Sequence, residues 1–141
     1  MMLAAGDFDD NDIRRLNHLG TDPVHVDLGI LNALEYQDAL GLKRKEARLK
    51  YLQQYWTSRL RDVPRVNVNT PADMDRHGGI GNVGIEGIDP RELADTLFTD
   101  YRIFTVGIKR PGVLGLRITP NVYTTLDELD ALVSAIKELS A

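Results

Sequence analysis

The sequence predicts an α+β domain, a small antiparallel or mixed sheet with helices packed on one face. Three observations carry this. Apolar residues recur at helical spacing over 24–40, 42–60, 90–100 and 126–139. Short runs with strand character lie between the later segments, at 65–69, 80–86, 103–108 and 113–119. Two helix starts carry capping signals, and the elements do not alternate strictly as a parallel α/β fold requires. A chain of 141 residues suits one domain with a modest core.

Residues 1–12 hold the polar run Gly6-Asp7-Phe8-Asp9-Asp10-Asn11-Asp12 and show no period. They are expected to form a loose N-terminal segment, leaving 13–141 as the domain. Asp22-Pro23 opens the first helix, with Val24, Leu28, Leu31 and Leu34 on one side and Gly41 as its stop. The second helix, Leu42 to Leu60, spaces Leu49, Leu52, Trp56 and Leu60 helically. Lys43, Arg44, Lys45, Arg48 and Lys50 crowd its start, as a solvated face or as a phosphate-binding patch; overall acidity and the lack of interleaved aromatics favour the first.

Arg65 to Asn69 alternates as a strand, Ala72 to Gly79 reads as a polar loop, and Ile80 to Glu86 is a second strand. Asp89-Pro90-Arg91-Glu92 joins an N-cap acid, a proline at the first helical position and a glutamate three residues after the cap. Leu93, Leu97 and Phe98 are expected to face inward. Ile103–Ile108 and Val113–Thr119 form a hairpin across Lys109-Arg110-Pro111-Gly112. Thr125 and Glu128 make a second capping box, followed by a buried stripe of Leu126, Leu129, Val133 and Ile136.

Composition restricts the chemistry. Seventeen lysines and arginines against 21 acids leave a net charge of −4, a poor basis for nucleic-acid or anionic-membrane binding. The absence of cysteine removes disulfides, thiolate metal sites and cysteine nucleophiles. No apolar run reaches the roughly 20 residues that span a bilayer, and Met1 to Ala5 meets glycine and acids too soon for a signal peptide, so a cytoplasmic protein is expected. His18, His25 and His77 lack the i, i+4 spacing of a helical zinc site, so no metal is expected, and no serine sits in a nucleophile elbow. Gly79-Ile80-Gly81-Asn82-Val83-Gly84 matches a dinucleotide fingerprint in letters only. A loop precedes it and no helix follows at once, so it reads as a glycine-rich strand that admits a close neighbour.

Arg117 is the residue packing does not explain. With a period of two, Leu114, Leu116 and Ile118 share one face, while Val113, Gly115, Arg117 and Thr119 share the other. A guanidinium held on a strand beside a glycine and before Pro120 suits bidentate capture of a carboxylate or phosphate; an ordinary solvated arginine is the alternative.

The run Leu116-Arg117-Ile118-Thr119-Pro120-Asn121-Val122-Tyr123-Thr124-Thr125, with the Leu-Asp-Glu-Leu helix after it, resembles the terminal signature of class V aminotransferase-like, pyridoxal-phosphate-dependent enzymes. Asn17-His18-Leu19-Gly20-Thr21-Asp22-Pro23 resembles their Gly-Thr loop, and Leu40 to Trp56 their helices leading into the small domain. The resemblance is closest to the isopenicillin N epimerase-like branch and covers Ile13 to Leu139. It implies the small-domain fold of fold-type I pyridoxal-phosphate enzymes over 13–141. It also implies that Arg117 binds the substrate carboxylate and that Thr21, with Gly20, contacts the cofactor phosphate of the neighbouring subunit.

The family carries its Schiff-base lysine in a large domain, and no lysine of this sequence resembles that segment. The missing cysteine departs from the cysteine desulfurase branch. The resemblance therefore implies a truncated or excised C-terminal domain with no catalytic residue of its own, no activity alone and no pyridoxal phosphate bound alone. A homodimer, a missing large domain or a protein partner would complete it. The alternative is a free-standing carboxylate- or protein-binding module derived from that domain.

Overall fold

In the computed structural model the described residues are Asn11 and 24–141. They belong to two compact units, Met1–Ala39 and Leu40–Ala141. The described part of the first is Asn11 and helix α1, Val24–Leu40, whose last residue falls in the second. Its apolar residues are not confined to one side: Val26, Leu28, Ile30, Leu31, Leu34 and Tyr36 are spread around the axis, and all are exposed.

The second unit runs α2 (Leu42–Ser58), β1 (Val66–Val68), β2 (Gly81–Ile85), α3 (Pro90–Tyr101), β3 (Val106–Arg110), β4 (Val113–Ile118) and α4 (Leu126–Ser140). The four strands form one sheet in the order β1-β2-β4-β3, and each neighbouring pair is antiparallel. Strands β2 and β3 thus run parallel with β4 inserted between them and α3 as the crossover, a split β-α-β arrangement. The α+β class and the antiparallel sheet agree with the sequence.

The core lies between one sheet face and the helices. Leu52 and Trp56 of α2, Val83, Leu97, Leu116, Ile136 and Leu60 have no accessible surface. Each such aliphatic side chain contributes about 1.5–3 kcal/mol of gross burial energy. Helix α2 is also tied to α4 by polar contacts. The Tyr55 hydroxyl donates to Asp130 at 2.9 Å, the Arg59 guanidinium, stacked on the Tyr55 ring, lies 3.9 Å from the same carboxylate, and Arg48 donates to the Thr124 carbonyl just before α4 at 3.0 Å. Lys50 pairs with Glu46 at 2.9 Å, so two members of the basic cluster serve local structure.

Both predicted caps form. The Asp89 carboxylate accepts from the Arg91 amide at 2.9 Å. The Thr125 hydroxyl accepts from the Glu128 amide at 3.3 Å while Glu128 accepts from the Thr125 amide at 2.8 Å. The Thr125 amide first, then its hydroxyl, which also donates to the Glu128 carboxylate at 3.0 Å, holds the Glu128 carboxyl below its ordinary range.

Four expectations need correction. The third strand begins at Val106, not Ile103. Arg102 enters the left-handed region at φ 60° and the Ile103 amide turns back to the Leu97 carbonyl at 3.0 Å, so 103–105 belong to the helix exit. Lys109 and Arg110 are strand residues, because the turn is only Pro111-Gly112, with the glycine at φ 79°. Phe98 is 53% exposed and meets Phe104 edge-on at the surface. Leu114 is 57% exposed although it shares the parity of Leu116. It lies beyond the last residue that β4 pairs with β2 and lines a cavity there.

The glycines of β2 admit close neighbours as expected. A Cβ on Gly81 would lie 2.5 Å from the Trp56 ring and closer still to the Gln53 amide. Gln53 accepts from the Trp56 indole at 3.1 Å and its Nε2, fully buried, has no partner, so this amide has no slack to move. Gly81→Ala is expected to cost about 1–3 kcal/mol in urea unfolding. Gly78→Ala, where nothing lies within 4 Å, is the matched control and should change little. Equal stability of the two variants would refute the packing argument.

Candidate functional site

The helices cover one sheet face, and the outer face is built by alternation. Register pairs Asn82 with Arg117 and Val106 with Arg117, so Asn82 (β2), Arg117 (β4) and Val106 (β3) lie across one row. Two residues further along β4 and β3, Gly115 pairs with Ile108. No strand residue of the sheet is acidic. Arg117 is exposed and makes no hydrogen bond or ion pair with a described residue, which leaves all five of its N–H donors for a ligand. This is the placement expected from the sequence.

Neighbouring groups are more constrained. Thr70, nearly buried, accepts from the Asn82 amide through its hydroxyl at 2.8 Å, and its carbonyl accepts from Arg61 at 2.8 Å. Asn69 Nδ2 donates both to Asn82 Oδ1 at 2.6 Å and to the Leu114 carbonyl at 3.0 Å. Periodicity missed Asn69, Asn82 and Thr70. Cross-strand register, which the sequence does not state, is what brings them beside Arg117.

A cavity of about 500 Å³ lies beyond the last β2–β4 register pair, Val83↔Leu116, lined by Gly84, Ile88, Pro90, Leu93, Leu114 and Gly115 among others. At its rim Lys109 pairs with Asp89 at 2.7 Å. A second cavity of about 650 Å³ lies between the start of α2 and residues 75–79. Arg117 lines neither. Thr21 and Gly20, the expected cofactor-phosphate contacts, lie outside the described residues.

The described lysines sit on α2 (Lys43, Lys45, Lys50), β3 (Lys109) and α4 (Lys137), none of them on the outer face beside Arg117. The Lys50 and Lys109 amines are already paired with Glu46 and Asp89. The described residues alone therefore do not fit pyridoxal phosphate. They supply an exposed guanidinium without an amine beside it to bond the cofactor or walls to enclose its ring.

Lys109 foremost, then the Arg91 amide, holds the Asp89 carboxyl below its ordinary value. A carboxylate whose folded pKa is lowered stabilises the fold above the unfolded pKa, and that contribution is lost as pH falls through the folded one. Lys109→Met is expected to return the Asp89 titration toward the ordinary range by NMR, with the stability of variant and parent converging at acid pH. An unchanged Asp89 titration would assign the shift to the helix cap instead.

Known proteins match this chain in sequence and in fold. The family model for aminotransferase class-V matches residues 7–107 and so ends before Arg117. Isopenicillin N epimerase from Streptomyces clavuligerus is 30% identical over 91% of this chain and 32% of its own length. A probable cysteine desulfurase from Streptomyces coelicolor is 27% identical over 85% of the chain and 31% of its own length. The chain thus spans about a third of the length of these relatives. The apo structure of cysteine desulfurase from Thermococcus onnurineus NA1 superposes with a TM-score of 0.76 at 23% identity, over 89% of this chain and 33% of that one. With more than two thirds of its residues matched by the family model, the chain belongs to the class-V aminotransferase family.

Proposed function

We propose that this chain is the C-terminal, substrate-carboxylate-binding portion of a pyridoxal-phosphate-dependent enzyme of the aminotransferase and epimerase type, and that it does not turn over substrate alone. The observation that carries the reading is Arg117, held on a central strand and turned away from the core without a protein partner among the described residues. An unpaired guanidinium on a rigid strand is suited to hold a carboxylate in one orientation. When bound in such an enzyme, pyridoxal phosphate supplies the electron sink for carbanion chemistry. The lysine that bonds it would come from the two thirds of the relatives' length that this chain does not span. Thr21 and Gly20 would serve the cofactor phosphate of a neighbouring subunit in a cytoplasmic homodimer.

Addition of pyridoxal phosphate followed by borohydride reduction is expected to give no stoichiometric lysine adduct by mass spectrometry, and no transamination, lyase or epimerase turnover. A stoichiometric adduct accompanied by turnover would overturn the reading.

A second reading, a free-standing carboxylate- or protein-binding module, is favoured by α1. Apolar residues exposed on every side of a helix are the pattern of an element that is covered in its working state. Light scattering separates the versions of this reading: self-association that rises with concentration supports coverage by a second copy, and a strict monomer without affinity for apolar probes removes the protein-binding version.

A further inference from the structure

We infer that Asn82 is a second ligand-binding residue of the Arg117 site, with its Nδ2 donating to the same carboxylate, and that Asn69 is the residue that positions it. The inference rests on reading Arg117 as a carboxylate clamp. It starts from register: Asn82 and Arg117 are direct partners on adjacent antiparallel strands. Their Cβ atoms therefore stand on one face about 4.5–5.5 Å apart. That spacing lets one carboxylate bridge a guanidinium and an amide, each using one of its two oxygens.

The orientation of the Asn82 amide follows from its neighbours. The Leu114 carbonyl is an acceptor only, so the Asn69 atom 3.0 Å from it must be the NH2 group. The same Asn69 nitrogen lies 2.6 Å from the Asn82 side chain, so the Asn82 atom it meets must be the oxygen. The Asn82 NH2 is thereby left as the end of the amide with no described partner, on a side chain that is partly exposed. A free asparagine amide offers an acceptor as readily as a donor, and an acceptor would repel a carboxylate. Asn69 removes that ambiguity by occupying the oxygen. The main chain is fixed as well, through the Asn82 amide donating to Thr70 Oγ1 and the Asn69 amide donating to the Asn82 carbonyl at 3.0 Å. Arg117 and Asn82 together then present donors only, in a row whose strands carry no acid.

The test is NMR on the full 141-residue chain. Sodium acetate replaces sodium chloride at constant ionic strength, with acetamide as the neutral control. The Arg117 Nε–H and the Asn82 side-chain NH2 are expected to shift together along one binding curve, and acetamide to move neither. Asn82→Ala should weaken acetate binding about fivefold, the loss of one charge-assisted donor at an exposed site. Asn82→Asp should weaken it further. Asn69→Ala keeps every ligand-touching group, so it should leave the Arg117 response in place and diminish that of the Asn82 amide; backbone spectra report whether each variant stays folded.

An Arg117 signal that does not respond to acetate overturns the clamp reading beneath the inference. An Arg117 signal that responds while the Asn82 NH2 does not, or an Asn82→Ala variant with parental affinity, overturns the inference alone.

Discussion

The position of every group on the outer face depends on how β4 is seated between β2 and β3. It is paired on both sides, so its register is fixed twice, by Val83↔Leu116 on one side and Gly107↔Leu116 on the other. A slip of one residue would turn Leu116 and Ile118 out of the core and Arg117 into it. That exchange would bury an unpaired guanidinium and expose two aliphatic side chains, an arrangement the fold cannot tolerate. Close backbone approach adds a second lock: a Cβ on Gly115 would stand 2.5 Å from the Val83 carbonyl oxygen, and one on Gly84 would stand 2.8 Å from that of Leu114. This close backbone approach lies two residues along each strand from the Asn82–Arg117 row.

Legibility from sequence followed the range of the interaction concerned. Local chemistry was readable: Asp89-Pro90 and Thr125…Glu128 announce their helices because cap and capped amide lie within three residues of each other. The side of β4 that carries Arg117 was readable too, since alternation is a property of one strand. Features set by another strand or helix were not. The exposure of Leu114 goes with the end of the β2–β4 pairing at Leu116, a property of the partner strand. The late start of β3 reflects a left-handed residue, Arg102, where neither glycine nor asparagine signalled the helix exit. Asn69 and Asn82 are ordinary polar residues in the sequence and become a pair only through the β1–β2–β4 register.

Helix α1 illustrates a different limit. Its sequence stripe of Leu28, Leu31 and Leu34 suggests one buried side, yet Val26, Ile30 and Tyr36 occupy the remainder of the circumference and are exposed with it. Helical periodicity says which residues could be covered together. A helix apolar on all sides calls for cover on more than one, so the surface argues for contacts that this helix does not make by itself.

The sheet also separates recognition from reaction. On the proposed reading, a carboxylate held by Arg117 would sit away from the bonds that change at an amino acid's α-carbon, and would be held alike before and during a reaction. Interactions of equal strength in both states localise and orient a substrate without lowering the barrier from the bound complex. Acceleration has to come from groups that stabilise charge as it develops, and on the same reading those groups would lie outside this face. The described lysines are spent on ion pairs or stand on other elements, whereas the face around Arg117 is rigid, free of acids and rich in donors. A segment built this way can fix which end of a substrate points where, and the orientation becomes catalytic only when a reacting centre is brought against it.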